Sequence, residues 1–363
     1  MNNTQPTILL CAGGTGGHVF PARALAEELL IRGYHIEVAT DVRGLKYFDG
    51  LDIKIPRHVI SSGTNSSGII GKVLGGIELL KGFFQSIALI QKIQPIAIVG
   101  FGGYPSVPPL FVGQVLRIKT IIHESNAILG LANKLLAHFA SKIALSYPDT
   151  SGLSDSFKQK SICTGNPIRQ AIADLSITSY PSLKDKITIM IFGGSQGAKV
   201  FSDVVPLALV GLPPELQSRL NIVQQSIPST IDAVRDIYSN SQLDFEIKSF
   251  FDDMPARIKN THLFITRSGA STTAEFTAAG RPAIYVPFPR HKDNQQVFNA
   301  EQVAKSGGGW VILEKDLTVE GLKSTLENLL NSPDILQKAA ESAKNLGIID
   351  ATQRLADSIA EFD

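Results

Sequence analysis

TILLCAGGTGGHVFPARALAEEL, residues 7–29, opens on an apolar run, turns on a cluster of glycines and continues at helical spacing. Thr7 to Ala12 has the uninterrupted apolar character of a strand buried on both faces of a parallel sheet. Gly13, Gly14, Gly16 and Gly17 allow positive φ and let backbone approach a ligand. From Pro21 onward, Leu25, Leu29 and Leu30 fall on one helical face, and Gly33 ends the segment. KITIMIFGGSQGA, residues 186–198, repeats the pattern. Placing Gly13 on Gly193 puts Gly14, Thr15 and Gly17 on Gly194, Ser195 and Gly197. A chain that twice runs strand–GG[TS]xG–helix reads as two similar α/β halves.

Further strands are predicted at His35–Ala39, Ile96–Val99, Lys119–Ile122 and Lys142–Leu145, then at Leu220–Gln224, Phe245–Lys248, Leu263–Thr266 and Ala283–Val286. Their alternation with helical stretches implies parallel sheets with right-handed crossovers. The joint is predicted near Cys163–Arg169, where Pro167 biases Asn166 away from helix. This divides the chain into residues 1–164, 165–345 and a terminal helical segment, 346–363. A crevice between the halves is the natural ligand site.

With 363 residues, 44% hydrophobic and 18% charged, the chain is long and apolar enough for two cored domains. A net charge of +1 gives no global reason to expect nucleic-acid binding. Cys11 and Cys163 stand alone, which points away from a disulfide framework or zinc site and toward a reducing compartment. The polar start, MNNTQP, does not read as a signal peptide. No uncharged apolar run reaches the ~18 residues of a membrane span, so a soluble or peripheral protein is expected.

The chemistry-bearing stretches each admit two readings. Gly13 to His18 is either a phosphate-binding turn, with free N–H groups at a helix N-terminus, or merely a tight strand-to-helix turn. GFGGYPSVPP, residues 100–109, is a rigid loop at a strand's carboxyl end, where open sheets bind ligands, or a purely structural one. His123-Glu124-Ser125-Asn126 offers hydroxyl and amide recognition, or a cap at Ser125 or Asn126 for the helix holding Leu131–Ala137. In RSGASTTAEF, residues 267–276, Ser268 is a candidate N-cap and Glu275 suits a ribose diol, although surface helix glutamates are commoner. His291 to Gln296 either reads sugar hydroxyls or forms a solvated loop.

Taken together, GGTGGHVFPARALAEEL, GFGGYPSVP, HESN with LANKLLA, TGNPIR, GGSQGA, FFDDM, RSGAST with Glu275 and VPFPRHKDNQQVFNA resemble one family over nearly the whole chain, the MurG glycosyltransferases of bacterial peptidoglycan synthesis. The resemblance implies a GT-B architecture: two Rossmann-like domains with parallel sheets facing across a cleft, and the terminal helix returning to the first. It implies inverting transfer of N-acetylglucosamine from UDP-N-acetylglucosamine to undecaprenyl-diphospho-N-acetylmuramoyl-pentapeptide (lipid I to lipid II), without metal or cofactor. The partners implied are these two substrates, the cytoplasmic face of the inner membrane and other cell-wall proteins.

By motif match, Ser195, Gln196 and Arg169 face the donor diphosphate and Phe251 presents its backbone to uracil. Glu275 binds ribose, and Gln295 and Gln296 bind the sugar hydroxyls. Thr15, Gly16, Gly17, Asn126 and Ser268 complete the donor contacts, and Thr15, His18 and Tyr104 those of the acceptor. Inversion needs one base, for which His18 is the candidate. Two departures stand out. HESN replaces the commoner HEQN, a shorter side chain that leaves room for a water. Gln224-Gln225-Ser226-Ile227 lacks the family's glycine, which leaves the loop geometry there open.

Gly68 to Lys92 is apolar with scattered cations, and reads as an interfacial docking segment or a buried helix. One face is predicted to dock through Ile77, Leu80, Phe83, Lys72 and Lys81. Competing functional readings are another GT-B enzyme, such as UDP-N-acetylglucosamine 2-epimerase, and a non-catalytic nucleotide-sugar-binding protein.

Overall fold

The structure is a computed structural model describing residues 5–14, 16–48, 55–63, 69–184, 186–194, 197–289 and 293–363, without the side chains of residues 69–72. The chain forms two compact units, one of residues 1–169 with 350–363 and the other of residues 170–349. Each is a parallel sheet built from the short apolar strands.

In unit 1 the strands are β1 (Thr7–Cys11), β2 (His35–Thr40), β3 (Arg57–Val59), β4 (Ala97–Gly100), β5 (Lys119–Glu124), β6 (Lys142–Leu145) and β7 (Ser161–Cys163). They lie in the order β3-β2-β1-β4-β5-β6-β7, all parallel. Its helices include α1 (Gly16–Ile31), α2 (Ile69–Ile93), α3 (Val107–Val115) and α4 (Leu131–Leu136). Unit 2 holds β8 (Ile187–Phe192), β9 (Leu220–Gln225), β10 (Asp244–Lys248), β11 (Leu263–Thr266), β12 (Ala283–Tyr285) and β13 (Gly309–Val311), ordered β10-β9-β8-β11-β12-β13. Its helices include α5 (Lys199–Val210), α6 (Met254–Asn260), α7 (Ala270–Ala278) and α8 (Gln295–Lys305); α9 (Ala351–Ala360) belongs to unit 1.

The apolar run of β1 is explained by burial on both faces. Ile8 and Leu10 point into one core layer with Leu25 and Leu29 of α1, while Leu9 and Cys11 point into the other with Leu89 and Ile90 of α2. Leu355, Ala356 and Ile359 of α9 join the α1 layer, and Arg32–Asp357 (2.6 Å) and Lys142–Glu361 (2.6 Å) ion pairs flank it. Apolar burial dominates there, since exposed ion pairs contribute at most about 1 kcal/mol. Both cysteines are free thiols.

Three strands have no counterpart in the sequence prediction: β3, β7 and β13, each three residues long and each at a sheet edge. Three residues are too few to display a period. α1 begins at Gly16, more than a turn before Pro21, because a proline near a helix start removes only one hydrogen bond.

In both sheets the strand order reverses once, between β1 and β4 and between β8 and β11. Loops leaving the carboxyl ends of such strands diverge to opposite faces and open a crevice. The glycine clusters follow β1 and β8, GFGGYP follows β4, and RSGAST follows β11.

Candidate functional site

In unit 1 the two glycine-rich loops are interlocked. The Phe101 amide donates to the Cys11 carbonyl (2.9 Å), and Ser106 Oγ lies 2.8 Å from the Cys11 oxygen and 2.7 Å from that of Gly102. Asp41, beyond β2, accepts from the amides of Gly14 and Gly44 (2.9 Å each), and Arg43 Nε donates to it at 2.8 Å. Gly13 must be glycine: a Cβ there would lie 2.6 Å from Pro105 Cγ and 2.9 Å from Asp41 Oδ1.

His18, in the first turn of α1, sits against Gly102 and Gly103, both at positive φ. A Cβ on Gly102 would be 3.1 Å from the imidazole Cε1. Part of His18 reaches solvent, but Nδ1 is sealed without an aligned hydrogen-bond partner. Burial lowers its pKa, opposed in part by the Phe101 backbone, so the ring is neutral near pH 7. Tyr104 is half exposed at the tip of the same loop. Gly16 and Gly17 form the start of α1; Thr15 lies outside the described residues.

Beneath this pair lies a buried network unannounced by the sequence. His123 is fully buried, its ring centroid 5.4 Å from that of Phe101; Nε2 donates to the Gly165 carbonyl (3.1 Å) and Nδ1 lies 3.3 Å from Ser125 Oγ. Burial lowers its pKa to about 4. Ser125 thus engages His123 and caps no helix. Asn126 does not cap either: α4 has Gly130 at its N-cap. Glu124 supplies the missing acceptor. Its carboxylate takes the Gly130 amide (2.9 Å), Asn133 Nδ2 (2.9 Å), and both the amide and Nδ2 of Asn126 (3.0 Å each). Burial raises the pKa of Glu124, and these four donors pull it back. Glu124 therefore orients Asn126.

The His123 shift has a consequence for stability. Its folded pKa of about 4 lies below the 6.5 of a free histidine, so in that window the unfolded chain binds a proton the folded chain refuses. Stability is complete above about pH 6.5 and falls as the pH drops toward 4, by roughly 3 kcal/mol at about 1.4 kcal/mol per unit. Urea unfolding of the wild type and His123→Gln at pH 7 and 4.5 is expected to show a loss smaller by about 2 kcal/mol in the variant. Equal losses would remove His123 from the acid sensitivity.

Unit 2 places its predicted residues around β8 and β11. Gly193, Gly194 and Gly197 form the turn, the latter two at positive φ; Ser195 and Gln196 lie outside the described residues. Phe251, after β10, is buried under Arg257, whose guanidinium carbon is 4.3 Å from the ring centroid. Phe250 beside it is exposed.

Ser268 is not the N-cap of α7; Gly269 is. The Ser268 hydroxyl donates to the Gln296 carbonyl (2.7 Å), and Gln296 Oε1 accepts from the amides of Ser268 (3.2 Å) and Phe288 (3.0 Å). Gln296 thus ties together the loops after β11 and β12, while Gln295 Nε2 donates to Asp293 (2.6 Å). Glu275 stands half-buried in the second turn of α7. Arg290, His291 and Lys292 lie outside the described residues. Arg169 falls at the end of unit 1, its guanidinium carbon 5.8 Å from the Phe20 ring centroid.

The missing glycine at residue 227 leaves β9 intact through Gln225, and Ile227 packs where a Cβ on Gly197 would be, 2.7 Å from Ile227 Cγ2. The bulk added at one position is accommodated by the glycine opposite.

The family model described as the glycosyltransferase family 28 N-terminal domain matches residues 8–145, and that of its C-terminal domain matches residues 188–358. A relative from Rhodospirillum centenum is 43% identical over 354 residues, 97% of this chain and 93% of that one. One from Chelativorans sp. is 43% identical over 355 residues, 97% and 94% of the two chains. Both are named UDP-N-acetylglucosamine–N-acetylmuramyl-(pentapeptide) pyrophosphoryl-undecaprenol N-acetylglucosamine transferase. The crystal structure of Acinetobacter baumannii MurG superposes with a TM-score of 0.80 at 28% identity, covering 98% of this chain and 100% of that one. A UDP-GlcNAc 2-epimerase from Neisseria meningitidis, solved with UDP-GlcNAc, reaches a TM-score of 0.71 over 98% of this chain and 100% of that one; at 14% identity it shares the fold alone. With two Rossmann-like α/β domains of the GT-B class and these matches along its length, the chain belongs to glycosyltransferase family 28, among the MurG N-acetylglucosamine transferases.

Proposed function

We infer that this chain transfers N-acetylglucosamine from UDP-N-acetylglucosamine to undecaprenyl-diphospho-N-acetylmuramoyl-pentapeptide, converting lipid I to lipid II with inversion. The observation that carries the reading is 43% identity over 97% of the chain to a relative bearing that activity in its name. The neutral His18 beside the acceptor-side glycines fits it, because an inverting transfer needs one base. His18 takes the proton of the acceptor hydroxyl as its oxygen bonds to the anomeric carbon, and the bond from that carbon to the UDP diphosphate breaks.

The donor is assigned to Ser195, Gln196, Arg169, Phe251, Ser268, Glu275 and Gln295, with Thr15, Gly16, Gly17 and Asn126 toward its sugar. Gln296 belongs to the same set through its Nε2, since its oxygen already serves two amides. Thr15, His18 and Tyr104 are assigned to the acceptor. Radiolabelled UDP-N-acetylglucosamine with a short-chain lipid I analogue tests the reading: lipid II is the expected product, and no transfer beside a competent control enzyme overturns it.

The acceptor's lipid calls for docking on the cytoplasmic face of the bilayer. Among the described residues, Val73–Ile93 in α2 is long and apolar enough to cross a membrane by length and composition. Its back is packed into unit 1: Gln85 Oε1 accepts from the Ser61 amide (2.8 Å), and a Cβ on Gly82 would strike the Ser61 carbonyl. Val73, Ile77, Leu80, Phe84 and Ile87 form an exposed stripe at spacings of three and four, with Ile77, Leu80 and Phe84 exposed by 55%, 60% and 72%.

Phe83, predicted to dock, instead turns inward against Phe111, with ring centroids 5.4 Å apart. Phe84 takes its place on the stripe. Lys81 is exposed, and the side chain of Lys72 lies outside the described residues. Such a face lies on a bilayer rather than across it. Leu80→Glu with Phe84→Glu is expected to weaken binding to anionic phospholipid vesicles at least roughly tenfold, since burying each apolar side chain contributes about 1.5–3 kcal/mol. Unchanged co-sedimentation would sink the docking assignment.

A further inference from the structure

Gln225 ends β9 and is 5% exposed, yet its amide serves two loops on neighbouring strands. Its Oε1 accepts the Gly193 amide at 3.0 Å, at the carboxyl end of β8. Its Nε2 donates to the Gly194 carbonyl at 3.2 Å and to the Ser249 carbonyl at 3.3 Å, just beyond β10. One planar amide therefore joins the second glycine turn to the loop that carries Phe251.

A buried amide with both ends engaged is a rigid spacer. Gly193 is buried, so leaving its amide unpaired is costly, and the N–H groups of the buried Gln225 amide need the Gly194 and Ser249 carbonyls in turn, so the two loops hold a fixed separation. The turn at Gly194 and Gly197 relies on positive φ and has no side chain of its own at either glycine to hold it. Gly193 is hemmed in already, since a Cβ there would lie 2.5 Å from the Ala198 amide nitrogen. Next to Gln225, Gln224 is occupied elsewhere: its Oε1 accepts from Tyr238 Oη at 2.5 Å and its Nε2 donates to Ser226 Oγ at 3.2 Å. The adjacent glutamine cannot substitute.

We propose that Gln225 is a positioning residue for the nucleotide, setting the distance between the turn that receives the donor diphosphate and the loop that receives its uracil. A nucleoside diphosphate spans both loops, so its affinity depends on that distance, whereas the acceptor's does not. This deepens the transferase reading and rests on it. The two substitutions that separate the roles are Gln225→Leu, which removes donor and acceptor, and Gln225→Glu. The carboxylate of the second still accepts from Gly193 but cannot donate to Gly194 and Ser249.

The test measures UDP binding by calorimetry, KM for UDP-N-acetylglucosamine, KM for a short-chain lipid I analogue, and thermal unfolding. In the folded variants, UDP dissociation and donor KM are expected to rise about tenfold or more, while acceptor KM stays within about twofold. Donor parameters within twofold of wild type in both variants would overturn the proposal. So would parallel loss of donor and acceptor binding, or failure of both variants to fold, each of which makes Gln225 a general stability residue. A wild-type chain that neither bound UDP nor transferred sugar would overturn the transferase reading and this inference with it. A competent wild type beside unaffected variants overturns the inference alone.

Discussion

Replacing His18 with alanine is expected to lower kcat for sugar transfer by roughly 10²–10⁴-fold, the range that removal of a positioned general base produces. The expectation is built on geometry before charge. The imidazole rests on Gly102 and Gly103, where positive φ and the lack of side chains leave room for a ring. Burial then lowers its pKa below that of an ordinary histidine, so at neutral pH the ring holds the lone pair a base requires. The wild-type rate at saturating substrates is expected to fall on the acid side only below the range where an ordinary histidine titrates, as His18 takes up a proton. The residual activity of His18→Ala should lack that limb. Near-normal turnover with a raised KM for the lipid acceptor would instead make His18 a diphosphate ligand and leave the base unassigned.

Arg281→Ala is expected to destabilise unit 2 by about 3–5 kcal/mol, read as a calorimetric transition lower by roughly 10 °C. Arg281 is 1% exposed, and its partners are carbonyls. Nε donates to Ile258 (2.8 Å) and Nη2 to Lys259 (3.0 Å) at the end of α6, while Nη1 donates to Ala279 (2.8 Å) and Gly280 (3.2 Å) just past α7. The cation thus sits at the negative ends of two helices, which offsets part of its desolvation. Its pKa is lowered to about 10, so it stays charged at neutral pH.

Alanine leaves a cavity and takes the guanidinium from these carbonyls, of which Ile258 keeps the Thr261 amide, and each buried group left unpaired costs about 1–3 kcal/mol, less than additively. Lysine should restore only part of the loss, because an ammonium lacks the planar fork that reaches two helix ends at once. Because α6 follows the Phe251 loop and α7 carries Glu275, UDP affinity should fall together with stability. A transition within 2 °C of wild type in Arg281→Ala would refute the assignment.

The central strands were legible because each is a short apolar run with helical spacing after it, and burial on both sheet faces leaves no other pattern. The edge strands β3, β7 and β13 were not, because pairing with one neighbour imposes little on three residues. The glycine turns were legible for a similar local reason: positive φ and close approach exclude side chains, as Gly13 against Pro105 shows. Polar residues were another matter. Ser268 read as an N-cap from its place before small helical residues, yet its hydroxyl is drawn to the Gln296 carbonyl, 28 residues away in the chain. Phe83 and Phe84 are adjacent in a uniformly apolar segment, and only the packing of α2 against Phe111 decides which is covered.

The Gly13–His18 turn and its echo at Gly193–Gly197 were therefore sufficient to indicate two parallel α/β units, since backbone conformation and apolar burial are local and repeat wherever they are required; the family needed the other motifs beside them. What Glu124, Gln225 and Arg281 do was decided only by tertiary structure. Their amide, carboxylate and guanidinium groups can serve many partners. Which they serve depends on strands and helix ends brought together from distant parts of the chain, where a buried polar group must be satisfied.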